Sequence, residues 1–212
     1  MVRMSSGDRR AELVQAALRV IAARGVSAAT TRAIVAEAGM PLASFHYAFE
    51  SRDEMMHELI AHVVDHQTVA AFESVRVGGD IYSTVRSALQ AFFDVLVTDP
   101  EHELVMFELM LFALRTPGLE GLPRRQYERY REAASRLLRA AEESCDIQWA
   151  MPIEHIASLV VTITDGITLA WLADRDRVAA AHVMDFAANA LAALALPASS
   201  TLLTIGTKER TI

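Results

Sequence analysis

One cysteine, Cys145, stands among the 212 residues. No disulfide can form within the chain, and a reducing cytosol is the compartment that suits it. No run approaches the roughly 20 unbroken apolar residues of a membrane span, so no membrane partner is expected. The first ten residues, MVRMSSGDRR, lack the apolar stretch of a secretory signal, which again points to the cytoplasm. The chain has no G-x-S-x-G, no P-loop and no G-x-G-x-x-G, so an enzyme is not expected, nor a cofactor. Strand alternation, internal repeats and low-complexity tracts are also missing.

What remains is helical. Hydrophobic residues make up 52% of the chain, enough for a sizeable core. Leu13, Ala16, Ala17, Val20 and Ile21 form one apolar stripe, so a first helix runs from about Gly7, capped by Ser5 or Ser6, to Arg24 and ends at Gly25. Ser51 with Glu54 reads as a capping box opening a long helix to about Ser74. Further helices are expected over Asp80–Thr98, Glu101–Arg115, Pro123–Ser144, Pro152–Ala173 and Arg177–Leu196. The centre of the Glu101 helix, LVMFELMLFAL, is apolar nearly all round and predicts a buried helix. The fold class is all-α, with about nine helices. A DNA-binding head is expected over 1–50, a ligand-binding and dimerisation body over 51–197, and an aperiodic tail over 198–212.

The stretch Thr30 to Phe49, TTRAIVAEAGMPLASFHYAF, organises the rest. Ile34, Val35 and Ala38 recur at helical spacing, and Gly39 closes that helix. Pro41 then opens a second helix from Leu42. Helix, short glycine turn, helix is the helix-turn-helix pattern, whose second helix enters the DNA major groove. Charge fits this. The overall net charge is −7, yet residues 1–52 hold seven Arg against four acids, while residues 53–212 hold thirteen Lys and Arg against twenty-three acids. A basic head on an acidic body suits a protein that meets DNA at one end.

Gly25, Thr30-Thr31-Arg32, Ile34 to Gly39, Phe45, Phe49 and Ser51-Arg52 before a long helix resemble the TetR family of bacterial transcriptional regulators, over about Leu13 to Leu59. The resemblance implies that Thr31 holds a phosphate, that Arg32 reaches a base edge or phosphate, and that Leu42, Ala43 and Ser44 face bases. It also implies backbone contacts by His46, Tyr47 and Arg52. His46 stands where the family commonly has tyrosine, and Pro41 where a capping serine is common. Of these residues only Arg32 can read guanine bidentately, so DNA shape and dimer spacing are expected to carry part of the specificity. The implied partners are a pseudo-palindromic double-stranded operator and a small-molecule effector, apolar in character. The implied role is a repressor that its effector releases from the operator.

The body offers Phe92, Phe93, Met106, Phe107, Met110, Phe112, Trp149 and Trp171 as an adaptable apolar pocket. Glu108 and Asp165 interrupt apolar stretches and are candidates to meet a ligand, an arginine or solvent. His62 and His66 lie four apart, but solvated or pocket-facing histidines are the better reading than metal ligands. The last two helices are more apolar than an exposed helix needs to be. Their expected use is burial against a second copy, giving a homodimer. The competing reading is a small all-α ligand-binding protein without specific DNA binding.

Overall fold

The computed structural model describes residues 5–66 and 79–198. Among them nine α-helices are formed, as the periodicity predicts. Helix α1, Ser6–Arg24, begins with a complete capping box: Ser5 Oγ accepts the Asp8 amide and Asp8 reaches back to the Ser5 amide. Its apolar stripe is almost wholly buried. Gly25 ends it at φ 78°, in the region where a side chain would be strained. A single 3₁₀ turn, Val26–Ala28, leads to α2, Thr31–Glu37, whose cap is Thr30 Oγ1 on the Ala33 amide. Gly39 takes φ 64° in the turn, and α3 follows over Leu42–Ala48. Phe45, Phe49, Ile34 and Val35 form plain core, packed with Leu13 and Ile21.

Helix α4, Arg52–His66, begins with the Ser51 Oγ cap on the Glu54 amide. The reciprocal half of the expected box is displaced by one residue, because Glu54 accepts the amide of Glu50 rather than that of Ser51. The expected continuation to Ser74, like the expected tail from 199, lies outside the described residues, as does the side chain of His66. The body consists of α5 (Ile81–Thr98), α6 (Pro100–Arg115), α7 (Gly121–Cys145), α8 (Ile153–Asp174) and α9 (Arg177–Ala192). Asp80, Asp99 and Asp176 cap three of these through side-chain carboxylates.

Two apolar clusters hold the fold. The first joins the head to Met55, Met56 and Leu59 of α4, to Leu109 and Ala113 of α6, and to Leu119 and Leu122. A three-helix unit this small gains most of its burial from what it leans on. The second cluster packs α5, α7, α8 and α9 around Phe93, Leu138, Ile156, Trp171 and Met184.

Two expectations need correction. The α6 helix is not buried all round: Leu104, Leu111 and Leu114 share one side of it and are half exposed. A strand pair exists where none was expected. Ile147–Trp149 (β1) runs antiparallel to Ala195–Pro197 (β2), so the last helix stops at Ala192 rather than Leu196. Three-residue strands are too short to show alternation. The expectation of no unbroken apolar run near 20 residues stands: α8 is long and apolar enough to cross a membrane by length and composition only, and His155, Ser158, Thr162 and Asp165 interrupt it. Only 39% of its most apolar window is buried within the protomer.

Candidate nucleic-acid interface and effector chamber

Helices α2 and α3 present one continuous face. Arg32, Leu42, Ala43, His46 and Tyr47 are exposed on it, while Thr31 and Ser44 are partly covered. Phe45 and Ala48 turn inward and fix the phase of α3, so its other side must face out. Tyr47 is 72% exposed, with the Arg9 guanidinium 5.2 Å from its ring centre. That pair places a cation and a hydroxyl together beside α3. Arg9 was not among the sequence candidates, since α1 carries no motif of its own.

Arg52 departs from the expected phosphate contact. Its Nε donates to Ala29 O at 2.8 Å and its Nη2 to Val26 O at 3.1 Å. Its guanidinium lies 5.5 Å from the ring centre of Phe112 on α6. These carbonyls close the turn before α2, so the group is spent inside the protein. Glu108 departs as well. Rather than entering a chamber, its Oε2 accepts the Val26 amide at 2.8 Å.

The proposed aromatic pocket is mostly solid. Trp149 is buried with Nε1 donating to Leu138 O, and Phe93 meets Trp171 edge-on at 5.7 Å. Met106 is buried, whereas Phe107 and Met110 are partly covered. Among the described residues, an apolar cavity of about 50 Å³ in the body has one of these candidates, Phe92, in its lining. Val85, Leu89, Leu138, Val160, Thr164 and Leu191 are among its other walls. This volume holds a few atoms rather than a drug-sized ligand.

A set of polar side chains links α7 and α8. Asp165, the residue after Thr164, accepts the Tyr127 hydroxyl at 2.6 Å. Tyr127 meets Tyr130 at 5.8 Å between ring centres, and Gln126 Nε2 donates to Tyr130 Oη at 2.7 Å. Burial raises the Asp165 carboxyl above its usual range, against the Tyr127 hydrogen bond, which lowers it. Burial also raises Glu103, and the charge of Asp165 pushes the same way while His102 opposes. The Tyr127 hydroxyl is raised by burial and by Asp165, which keeps it a donor. No ion pair to either carboxylate occurs among the described residues. Asp165 was anticipated as a polar interruption. Glu103, Tyr127 and Tyr130 were not, and the one available signal was the spacing of two tyrosines on an otherwise Arg-rich helix.

On the opposite side of α8 and α9, large apolar groups lie open. Leu159 and Leu169 are about half exposed, Val178 is 65% exposed and Phe186 74%. Gly166 lies on this side of α8, and a Cβ placed on it would meet nothing within 4 Å.

The family model described as "Bacterial regulatory proteins, tetR family" matches residues 13–59, and that for the C-terminal region of BetI-type transcriptional repressors matches residues 83–196. The chain belongs to the tetR family of bacterial regulatory proteins. A relative from Paenarthrobacter nicotinovorans, the HTH-type nicotine-responsive transcriptional repressor HdnoR, is 32% identical over 174 residues, which span 82% of this chain and 88% of HdnoR. The solved structure of the multidrug binding protein EbrR, complexed with imidazole, is similar with a TM-score of 0.64 at 25% identity, covering 90% of this chain and 97% of EbrR. A transcriptional regulator from Rhodococcus sp. Rha1 shares the fold with a TM-score of 0.69 at 21% identity, covering 88% and 97%. As a tetR-family member this protein is a DNA-binding transcriptional repressor, and the α2–α3 face is the part of it that has helix-turn-helix geometry.

Proposed function

We propose that two copies of this tetR-family chain join through the open faces of α8 and α9 and bind a pseudo-palindromic operator. The working units are a head over 1–50 and a body over 51–197. Thr31, Arg32, Leu42, Ala43, Ser44, His46 and Tyr47 form the DNA face, and Arg52 supports it from within. Phe186 and Val178, large apolar groups open to water, support the dimer face, since a patch of this kind is normally covered. The small residues Gly166, Ala170 and Ala173 on α8 permit close approach of a partner helix. Two heads so joined can reach successive major grooves about 34–36 Å apart.

The effector is a small organic molecule with an apolar body and a basic nitrogen. The observation that carries this is the Tyr127–Asp165 pair, one residue along α8 from the cavity-lining Thr164, with Glu103 close enough to feel the Asp165 charge. Two half-buried carboxylates whose ionised forms are disfavoured gain most from a ligand that brings a positive charge. Tyrosine faces add cation–π attraction. A nicotine-responsive relative and an imidazole-bound structural neighbour support the same class. The cavity must widen to admit such a molecule, so the effector favours a body conformation different from the closed one. A ligand with that preference shifts the heads by its differential affinity for the two states.

The test is fluorescence anisotropy on operators selected from random DNA with the purified protein. Heteroaromatic and aliphatic amines are then titrated against uncharged isosteres. Amines are expected to release the DNA where the isosteres do not. Release by neutral apolar compounds alone would refute the amine class while leaving the repressor reading intact.

A further inference from the structure

We infer that Glu108 and Arg52 act as a two-sided clamp on the backbone of Val26, and that this clamp sets the operator half-site spacing the protein accepts. The Val26 N–H is held by Glu108 of α6 and the Val26 carbonyl by Arg52 of α4, at 2.8 and 3.1 Å. Arg52 also holds Ala29 O at 2.8 Å. Its guanidinium rests over Phe112, one helical turn after Glu108 on the same helix. The two clamping side chains are therefore themselves in register through α6.

The clamped segment directly precedes Thr30, the cap of α2. Among the described residues Glu108–Val26 is the one hydrogen bond from α6 to the head; the remaining contact is apolar, through Leu109 and Ala113 against the head core. Apolar contacts resist separation but resist sliding poorly, whereas a charge-assisted hydrogen bond fixes direction. Gly25 is part of the device. A Cβ there would lie 3.2 Å from Glu108 Oε2 and 3.4 Å from Oε1, so the carboxylate approaches a backbone that carries no side chain. The same glycine needs its positive φ of 78° to turn the Val26 amide toward α6. In a two-fold dimer a change of head angle acts twice on the distance between recognition helices. Loosening the clamp thus broadens the range of spacings tolerated, without altering any DNA-facing residue.

This inference rests on the dimer proposed above, so each variant is first checked by sedimentation. The probes are the operator selected with the wild-type protein, the same duplex with one base pair inserted or deleted at its dyad, and a single half-site duplex at low salt. Glu108→Ala is expected to bind the half-site as wild type does and to lose affinity for the selected operator about tenfold, within the usual coupling range. Its affinity for the altered spacings should stay within about twofold of wild type, so discrimination collapses. Glu108→Gln keeps an acceptor for the Val26 amide and should retain discrimination. A folded Glu108→Ala dimer that discriminates spacings as wild type does would overturn the clamp. Should that variant lose half-site binding, Glu108→Asp, which withdraws the carboxylate by one methylene, decides: unchanged discrimination refutes the inference, and narrowed or shifted discrimination supports it. A wild-type protein that sediments only as a monomer would count against the dimer face instead, whereas loss of dimerisation in the Glu108 variants alone would overturn the clamp.

Discussion

Arg10 of α1 and Glu54 of α4 meet at 2.9 Å, across the end of the recognition helix. The same guanidinium pairs with Glu58, donates to the carbonyl of Ala48 and lies 4.2 Å from the ring centre of Phe49. One side chain thereby joins the first helix, the last turn of α3 and the helix that enters the body. Glu58 and Glu54 hold the Arg10 charge, raising its pKa. Replacing Arg10 with Met keeps the stem over Phe49 and removes the donors. The expected result is a melting temperature lower by at least about 2–4 °C, the shift about 1 kcal/mol produces in a chain of this size, since three partners lose their donor. Salt should narrow the gap between the two proteins, because the pair is partly exposed. Thermal denaturation at two ionic strengths reads both.

Arg32 and Arg52 should separate cleanly in DNA binding. Arg32 is exposed on the interface, while Arg52 donates to backbone carbonyls inside the head. If Arg32 contacts DNA, Arg32→Ala should weaken binding and change either base preference or, by about 1, the slope of log affinity against log salt. Arg52→Lys should leave the salt slope unchanged yet lower the melting temperature, because a lysine cannot reach two carbonyls with a planar fork. Anisotropy across a salt series with calorimetry on both variants gives the comparison.

Asp165 and Glu103 tie stability to pH. Both carboxyl groups have folded-state pKa values above their ordinary ones, with burial as the leading cause. A raised acid pKa means the folded state holds its proton more tightly than the unfolded chain. The two groups therefore oppose folding when ionised, above their raised pKa values. That penalty fades as pH falls through those values toward the ordinary range near 4. Asp165→Asn combined with Glu103→Gln should raise the melting temperature of the ligand-free protein at pH 7 by about 2–4 °C and flatten its rise on acidification. The same double variant should lose its response to amines. Differential scanning calorimetry from pH 4 to 8 measures the first effect, and operator release the second.

Phe186 offers the sharpest test of assembly. It is 74% exposed on α9 and belongs to neither apolar cluster of the protomer. Phe186→Glu is expected to leave helix content unchanged and to shift sedimentation at micromolar concentration from a dimer to a species of 23.3 kDa. Operator affinity should then fall by at least about a hundredfold, because the second half-site no longer binds as part of one molecule.

Much of this fold is legible in the sequence because local chemistry dictates it. Asp80 before an apolar 3–4 repeat, Asp99-Pro100, and Gly39 between two short periodic runs each act within one turn of helix. The head's core, Leu13 through Phe49, follows the stripe that α1 displays. What escapes is long-range and polar. Glu108 resembles a ligand contact because its partner is a backbone amide 82 positions away, which has no side-chain signature. Arg52 resembles a phosphate contact for the same reason: its acceptors are carbonyls. Trp149 and Trp171 read equally well as pocket or as core, and both lie buried in the second apolar cluster, Trp149 with its Nε1 on Leu138 O. The β1–β2 pair escapes because its register depends on where α9 stops.

The uneven charge of the chain polarises the whole molecule along its length. With positive residues concentrated in the first 52 and an excess of ten negative charges in the remainder, approach to a duplex is oriented before contact. The end that carries α2 and α3 is drawn in while the body is pushed outward. For the dimer proposed above, a second duplex arriving from the body side would meet the acidic part of the chain, which disfavours bridging of two duplexes. Crowded chromosomes would otherwise turn any protein with two DNA-reading heads into a cross-linker.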